Sequence, residues 1–154
     1  MKRETNITRV ELTARDFEIL NFILEMKFAS SAEIFEKFFK TRLSKEAAKS
    51  DSFTKKRLLK LEKADFLKAT RSFSENTKLF LATRKAHQAL SELCPEQPVI
   101  KTNYRFDLRT YVHDRLVLQW RLKLERELGV VNWISDRALR AGYGTTFGFS
   151  SKHI

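Results

Sequence analysis

The chain has 154 residues, of which 42% are hydrophobic, with thirteen Phe but only four Gly and two Pro. That composition supports a buried core and excludes both a disordered chain and a turn-rich all-β protein. The net charge of +11 favours a polyanionic partner, without choosing among DNA, RNA and an acidic membrane surface.

The single cysteine, Cys94, rules out an internal disulfide and fits a reducing compartment. It follows an apolar helical stretch, precedes Pro95 and reads as structural. The first sixteen residues hold no apolar run of the signal-peptide kind. No stretch approaches the roughly 18 apolar residues of a membrane span. The expected location is the cytoplasm, with no membrane contact.

Residues 1–12 are polar and read as a loose arm. Thr13 is a good N-cap, and Asp16 stands where the acid of a capping box belongs. Phe17, Leu20, Ile23 and Leu24 then fall at helical spacing, which predicts a first helix over 13–27. After a break at 28–31, Ser31 is placed to cap a second helix over 31–40, with Ile34, Phe35, Phe38 and Phe39 inward and Glu33 in its first turn. A third helix is expected over 44–65, with a break near Ser50-Asp51-Ser52 and an inner face of Phe53, Leu58, Leu61 and Ala64.

The pattern then changes. Residues 66–73 and 78–83 read as strands around the polar turn Ser74-Glu75-Asn76-Thr77, which makes a hairpin. Thr83 caps a fourth helix over 84–94, carrying Ala86, Leu90 and Leu93. Pro95 and Pro98 mark a linker over 95–104. A long helix over 105–128 follows, with Leu108, Val112, Leu116, Trp120, Leu124 and Leu128 every four residues and Gly129 to end it. A strand is expected at Val130–Ile134, then a loose glycine-containing tail.

Helix, helix, helix, hairpin, helix is the order of a winged helix-turn-helix, in which two helices set a third into a major groove and the hairpin flanks it. The expected fold is therefore mainly α: a winged helix-turn-helix over 12–94 with a C-terminal helical extension. Charge placement agrees. Residues 37–71 hold twelve basic and four acidic residues, a surplus of eight that makes up most of the total. The candidate nucleic-acid contacts are Lys49, Ser52, Lys55, Lys56, Lys60 and Lys63 on the third helix, and Arg71, Ser72, Ser74, Asn76 and Lys78 in the wing. Arg57 is expected either to contact phosphate or to brace the domain.

Leu12-Thr13-Ala14-Arg15-Asp16, Ile19-Leu20, Lys56-Arg57-Leu58, Leu61, Phe66-Leu67 and Leu79-Phe80-Leu81-Ala82-Thr83 together resemble the replication-relaxation family of plasmid and mobile-element proteins. His113 within Tyr111-Val112-His113-Asp114, and Trp133 ahead of Asp136, extend the resemblance to roughly 12–140. It implies a winged-helix DNA-binding half and roles in plasmid replication control, DNA relaxation or mobilisation. MarR-like winged-helix regulators are similar to the same elements. The nuclease-like acidic pattern of longer members has no counterpart beyond Asp136.

The three histidines, His87, His113 and His153, form no spaced metal pair, and Gly142-x-Gly144 lacks the strand and helix of a phosphate loop. No metal, cofactor or catalytic residue is expected. The partner is expected to be double-stranded DNA, with RNA left open. The rival functions are a protein–protein adaptor and an accessory subunit of a nuclease or relaxase. The long helix is expected either to join two copies through 105–128, with Leu118 and Leu122 on the joining side, or to pack its surplus apolar surface on the winged-helix unit or the strand at Val130–Ile134.

Overall fold

The computed structural model describes residues 9–40, 51–72, 74–102 and 107–143. Helix α1 (Ala14–Met26) starts on the expected capping box: the Asp16 amide donates to the Thr13 hydroxyl at 3.3 Å, and the Thr13 amide donates to the Asp16 carboxylate at 2.7 Å. Ile19, Leu20, Phe22, Ile23, Leu24 and Met26 are all buried, so α1 is the central helix of the core. Lys27 ends the helix with φ 73°, and the buried Phe28, Ala29 and Ser30 follow it.

The break expected at 28–31 is a short strand, β1 (Ala29–Ser30). Ser30, rather than Ser31, caps α2 (Ser31–Phe38), and Glu33 closes the box by accepting from the Ser30 amide at 2.8 Å. The expected helical stretch 44–50, with Lys49, lies outside the described residues. Helix α3 (Ser52–Lys63) begins beside Asp51, whose side chain makes no capping bond. Thr54, Leu58 and Leu61 face inward, followed by buried Ala64. Phe53 does not join them: one residue before Thr54, it points away and is 62% exposed. Asp65 ends the helix at φ 64°, a left-handed position that short polar side chains tolerate.

The hairpin has strands β2 (Leu67–Arg71) and β3 (Lys78–Ala82), paired from Leu67↔Ala82 to Arg71↔Lys78. β1 adds antiparallel to β3, with Ala29 opposite Phe80, and the sheet order is β1-β3-β2. The pleat then sorts β3 onto two faces. Phe80 and Ala82 enter the main core, while Leu79 and Leu81 join Phe28 and Tyr111 in a second cluster. Helix α4 (Arg84–Leu93) is capped by Thr83 and buries Ala86 and Leu90, leaving Leu93 exposed.

The expected linker contributes to the core: Ile100 is buried with Leu118, Leu122 and Ala138 in the same cluster as α1. Helix α5 (Leu108–Leu128) is capped by Asp107 and ends at Gly129, φ 62°. Its inner side is the reverse of the one expected. Tyr111, Leu118, Arg121 and Leu122 are buried, and the stripe spaced by four faces out. Ion pairs to α1, α2 and Lys27 line the seam: Lys27–Asp114 at 2.8 Å, Arg121–Glu25 at 2.5 Å, Lys37–Glu125 at 2.6 Å, and Arg115–Glu33 and Arg126–Glu36.

No strand forms at Val130–Ile134, because no neighbouring strand offers a ladder there; Val131 is 87% exposed. At the start of the expected loose tail, Ser135 caps a short helix α6 (Asp136–Ala138) that runs into a π-type turn, Leu139–Tyr143, and the rest of that tail, 144–154, lies outside the described residues. The molecule is thus mainly helical, with one three-stranded antiparallel sheet among the described residues. No described helix is long and apolar enough to cross a membrane.

Leu118 and Leu122 therefore belong to the fold. We expect Leu118→Glu to cost more than about 4 kcal/mol, because it buries an unpaired charge. Urea unfolding followed by circular dichroism measures this, and a native-like midpoint would contradict the packing of α5.

Candidate nucleic-acid interface

Helix α3 is rotated about its axis by one buried contact. Arg57 reaches across to the first turn of α1, where its Nε donates to Asp16 Oδ1 at 2.9 Å and its Nη2 pairs with Asp16 Oδ2. The same guanidinium donates to the Glu11 carbonyl at 3.0 Å. Of the two expectations for Arg57, the brace is the one its position matches. Burial opposes the charge on Asp16, yet hydrogen bonds from Arg57 and Thr13 outweigh it and hold the carboxyl below the ordinary carboxylate range. Arg57 is in turn held above its ordinary value by its hydrogen bond to Asp16.

With Arg57 turned in, the lysines turn out. Lys56, Lys60 and Lys63 are exposed, and among the described residues none of them has a carboxylate partner. Their spacing of four and three residues puts them on one side of the helix. Lys55 is also exposed but pairs with Asp51 at 3.1 Å, and Ser52 is exposed at the helix start. Basic residues elsewhere are differently placed: Lys27, Lys37, Arg115, Arg121 and Arg126 all meet carboxylates across the α5 seam.

The hairpin stands beside α3. Arg71 and Lys78 are register partners, on the same face of the ribbon as the core-facing Ala69 and Phe80. Lys78 Nζ bonds Glu62 of α3 at 2.9 Å and lies 5.1 Å above the Phe80 ring, tying the hairpin to the helix. At the tip, Ser72 is buried and its hydroxyl accepts from the amides of Glu75 and Thr77, both at 3.3 Å. It shapes the turn and is not a surface contact. Ser74 and Asn76 are exposed, and Asn76 takes the left-handed φ of 49°. Arg71 is exposed and donates to the Asn76 carbonyl at 3.2 Å. The structure thus brings Ser52, Lys55, Lys56, Lys60, Lys63, Arg71 and Lys78 onto α3 and the adjoining hairpin.

Two residues of this surface escape a sequence reading. Phe53 and Leu59 lie exposed among the lysines. Phe53 shares an open hollow of about 800 Å³ with Phe39, Arg15, Lys56 and Lys60, and Arg15 stacks over the Phe39 ring at 4.7 Å. Its signal was its place beside Thr54, which takes the inward position. Aromatic faces interleaved with cations suit a base or a sugar as well as phosphate.

No family model matches the chain. Neither a curated protein nor a solved structure matches it at a significant level. The family resemblance rests on its short motifs alone. Among the described residues no cluster of His, Cys, Asp and Glu is arranged to hold a metal ion. His113 Nδ1 lies 3.4 Å from Asp114, which is itself held by Lys27 at 2.8 Å.

Removing Arg57 strands a buried carboxylate. Arg57→Ala is expected to destabilise the fold by roughly 3 kcal/mol near neutral pH. The lowered pKa of Asp16 contributes stability above the ordinary carboxylate range, and that contribution fades as pH falls through the folded value. The gap between wild type and Arg57→Ala should therefore close in acid. A gap independent of pH, read from urea midpoints between neutrality and strong acid, would refute this account of the pair.

Proposed function

We propose that the chain is a winged helix-turn-helix protein that binds duplex DNA with the outer side of α3 and the β2–β3 hairpin. The observation that carries this is the row of lysines without a carboxylate partner among the described residues, Lys56, Lys60 and Lys63, on a helix whose inner side is held by Arg57. The row runs about 10 Å along the helix at 1.5 Å per residue, and a helix of this size fits a major groove about 12 Å wide. The element order supports the same reading: α1 and α2 seat α3, and the hairpin follows it directly. Lysines in such a row neutralise phosphates, and Ser52 and Asn76 are placed to add hydrogen bonds.

Binding, not catalysis, is the proposed activity. Transcription regulation, or the plasmid replication and mobilisation roles that the family resemblance implies, is its proposed setting. Duplex RNA is the less suitable ligand, because its deep, narrow major groove does not admit a helix.

Fluorescence anisotropy with duplex DNA at several salt concentrations tests the reading. Affinity should fall steeply with salt, and the log–log slope should shrink by about 0.9 for each lysine contact removed. The Lys56→Ala, Lys60→Ala, Lys63→Ala triple variant should keep its stability within about 0.5 kcal/mol while losing at least roughly tenfold in affinity. Absence of binding by the wild type at low salt, or full affinity in the folded triple variant, would remove the proposed interface.

A further inference from the structure

Helix α5 carries an apolar stripe that faces solvent. Leu108, Val112, Leu116 and Trp120 are 57%, 66%, 50% and 55% exposed, although their spacing by four residues is that of a packed ridge. The opposite side of α5 is already engaged by Tyr111, Leu118, Leu122 and the ion pairs of the seam, so the stripe is not needed to hold the helix in place. Toward the end of the stripe, Lys123 lies over the Trp120 ring at 5.3 Å.

We propose that this stripe is the contact between two copies of the chain, packed antiparallel about a two-fold axis that crosses the stripe between Leu116 and Trp120. The charges that flank the stripe favour one direction of packing over the other. Arg109, with a 90% exposed side chain that pairs with Asp107 of its own helix start at 3.3 Å, sits at one end, and Glu127, half exposed beside Arg126 at 3.3 Å, sits at the other. An antiparallel pair sets Arg109 against the partner's Glu127 twice, and Leu116 against the partner's Trp120 twice. A parallel pair would set Arg109 against Arg109 and Lys123 against Lys123. The stripe is thus complementary to its own reverse, which is the condition for an isologous interface.

The area is adequate. Each copy offers apolar side chains of roughly 500 Å², at the size that marks a functional patch. Doubled by the two-fold, this comes to about 1,000 Å² before the polar rim is counted, the lower bound for a specific interface. The interface uses the face of α5 opposite to Leu118 and Leu122.

Light scattering coupled to size exclusion, at roughly 50 μM so that a micromolar dimer is populated, reads the result without any nucleic acid. Its outcome is therefore independent of the DNA-binding reading. Wild type should elute at twice the chain mass. Leu116→Glu should weaken the dimer by roughly 30-fold or more, as expected for loss of a central anchor, and should leave the thermal unfolding of the subunit unchanged. Arg109→Glu should weaken it too, and the charge swap Arg109→Glu with Glu127→Arg should restore it. A monomeric wild type, a dimer indifferent to Leu116→Glu, or a charge swap without rescue each overturns the proposal. A Leu116→Glu chain that unfolds overturns it as well, because the stripe would then belong to the fold of a single chain.

Discussion

A buried carboxylate in the first turn of α1 governs how the basic helix is presented. Asp16 closes the cap of its own helix and at the same time receives Arg57 from α3. Because a guanidinium is planar and bonds through two nitrogens, the contact fixes rotation as well as distance. Once Arg57 points inward, the helical repeat places Lys56 on one side of it and Lys60 and Lys63 further along the outer face. The cap, the brace and the exposed row are one arrangement. None of the three lysines needs a partner inside the protein to be placed where it is.

Charge is divided in the same spirit across the whole molecule. On α5, basic and acidic side chains find opposites on α1, α2 and Lys27, and Glu33 serves two masters: one oxygen closes the α2 cap and the other receives Arg115. That seam consumes cations. On α3 and at its start the acids are fewer, and among the described residues Glu62 pairs with Lys78 and Asp51 with Lys55. The surplus of positive charge therefore collects on one helix and its neighbouring hairpin, whatever the partner it meets.

Signals that act over a few residues were legible in the sequence. Thr13 with Asp16, Thr83 and Gly129 are end-of-helix chemistry, and the polar turn between two apolar runs is hairpin chemistry; each predicted its element closely. What depends on distant partners was not legible. β1 is two residues long and exists because β3, fifty residues on, supplies its hydrogen bonds. The inner side of α5 carries Tyr111, Arg115 and Arg121, whose partners Phe28, Glu33 and Glu25 lie on other elements, so the tidier apolar stripe looked like the packed one. Ser72 reads as a surface serine and is instead the acceptor around which the hairpin tip is folded. For the basic surface, the chain of lysines was visible, but which of Lys56 and Arg57 turns outward depends on Asp16, forty residues earlier.

The sheet order leaves β2 at a border, with its outer row of backbone donors and acceptors facing no strand among the described residues. Such a row is an invitation to another polypeptide, and ordered aggregates grow from it. Here the border strand is five residues long and carries Lys68 and Arg71 on its surface. A second copy adding edge to edge would have to bring these cations against their own equivalents. The same positive charge that crowds the α3 side of the molecule thus also works against edge-to-edge growth of the sheet.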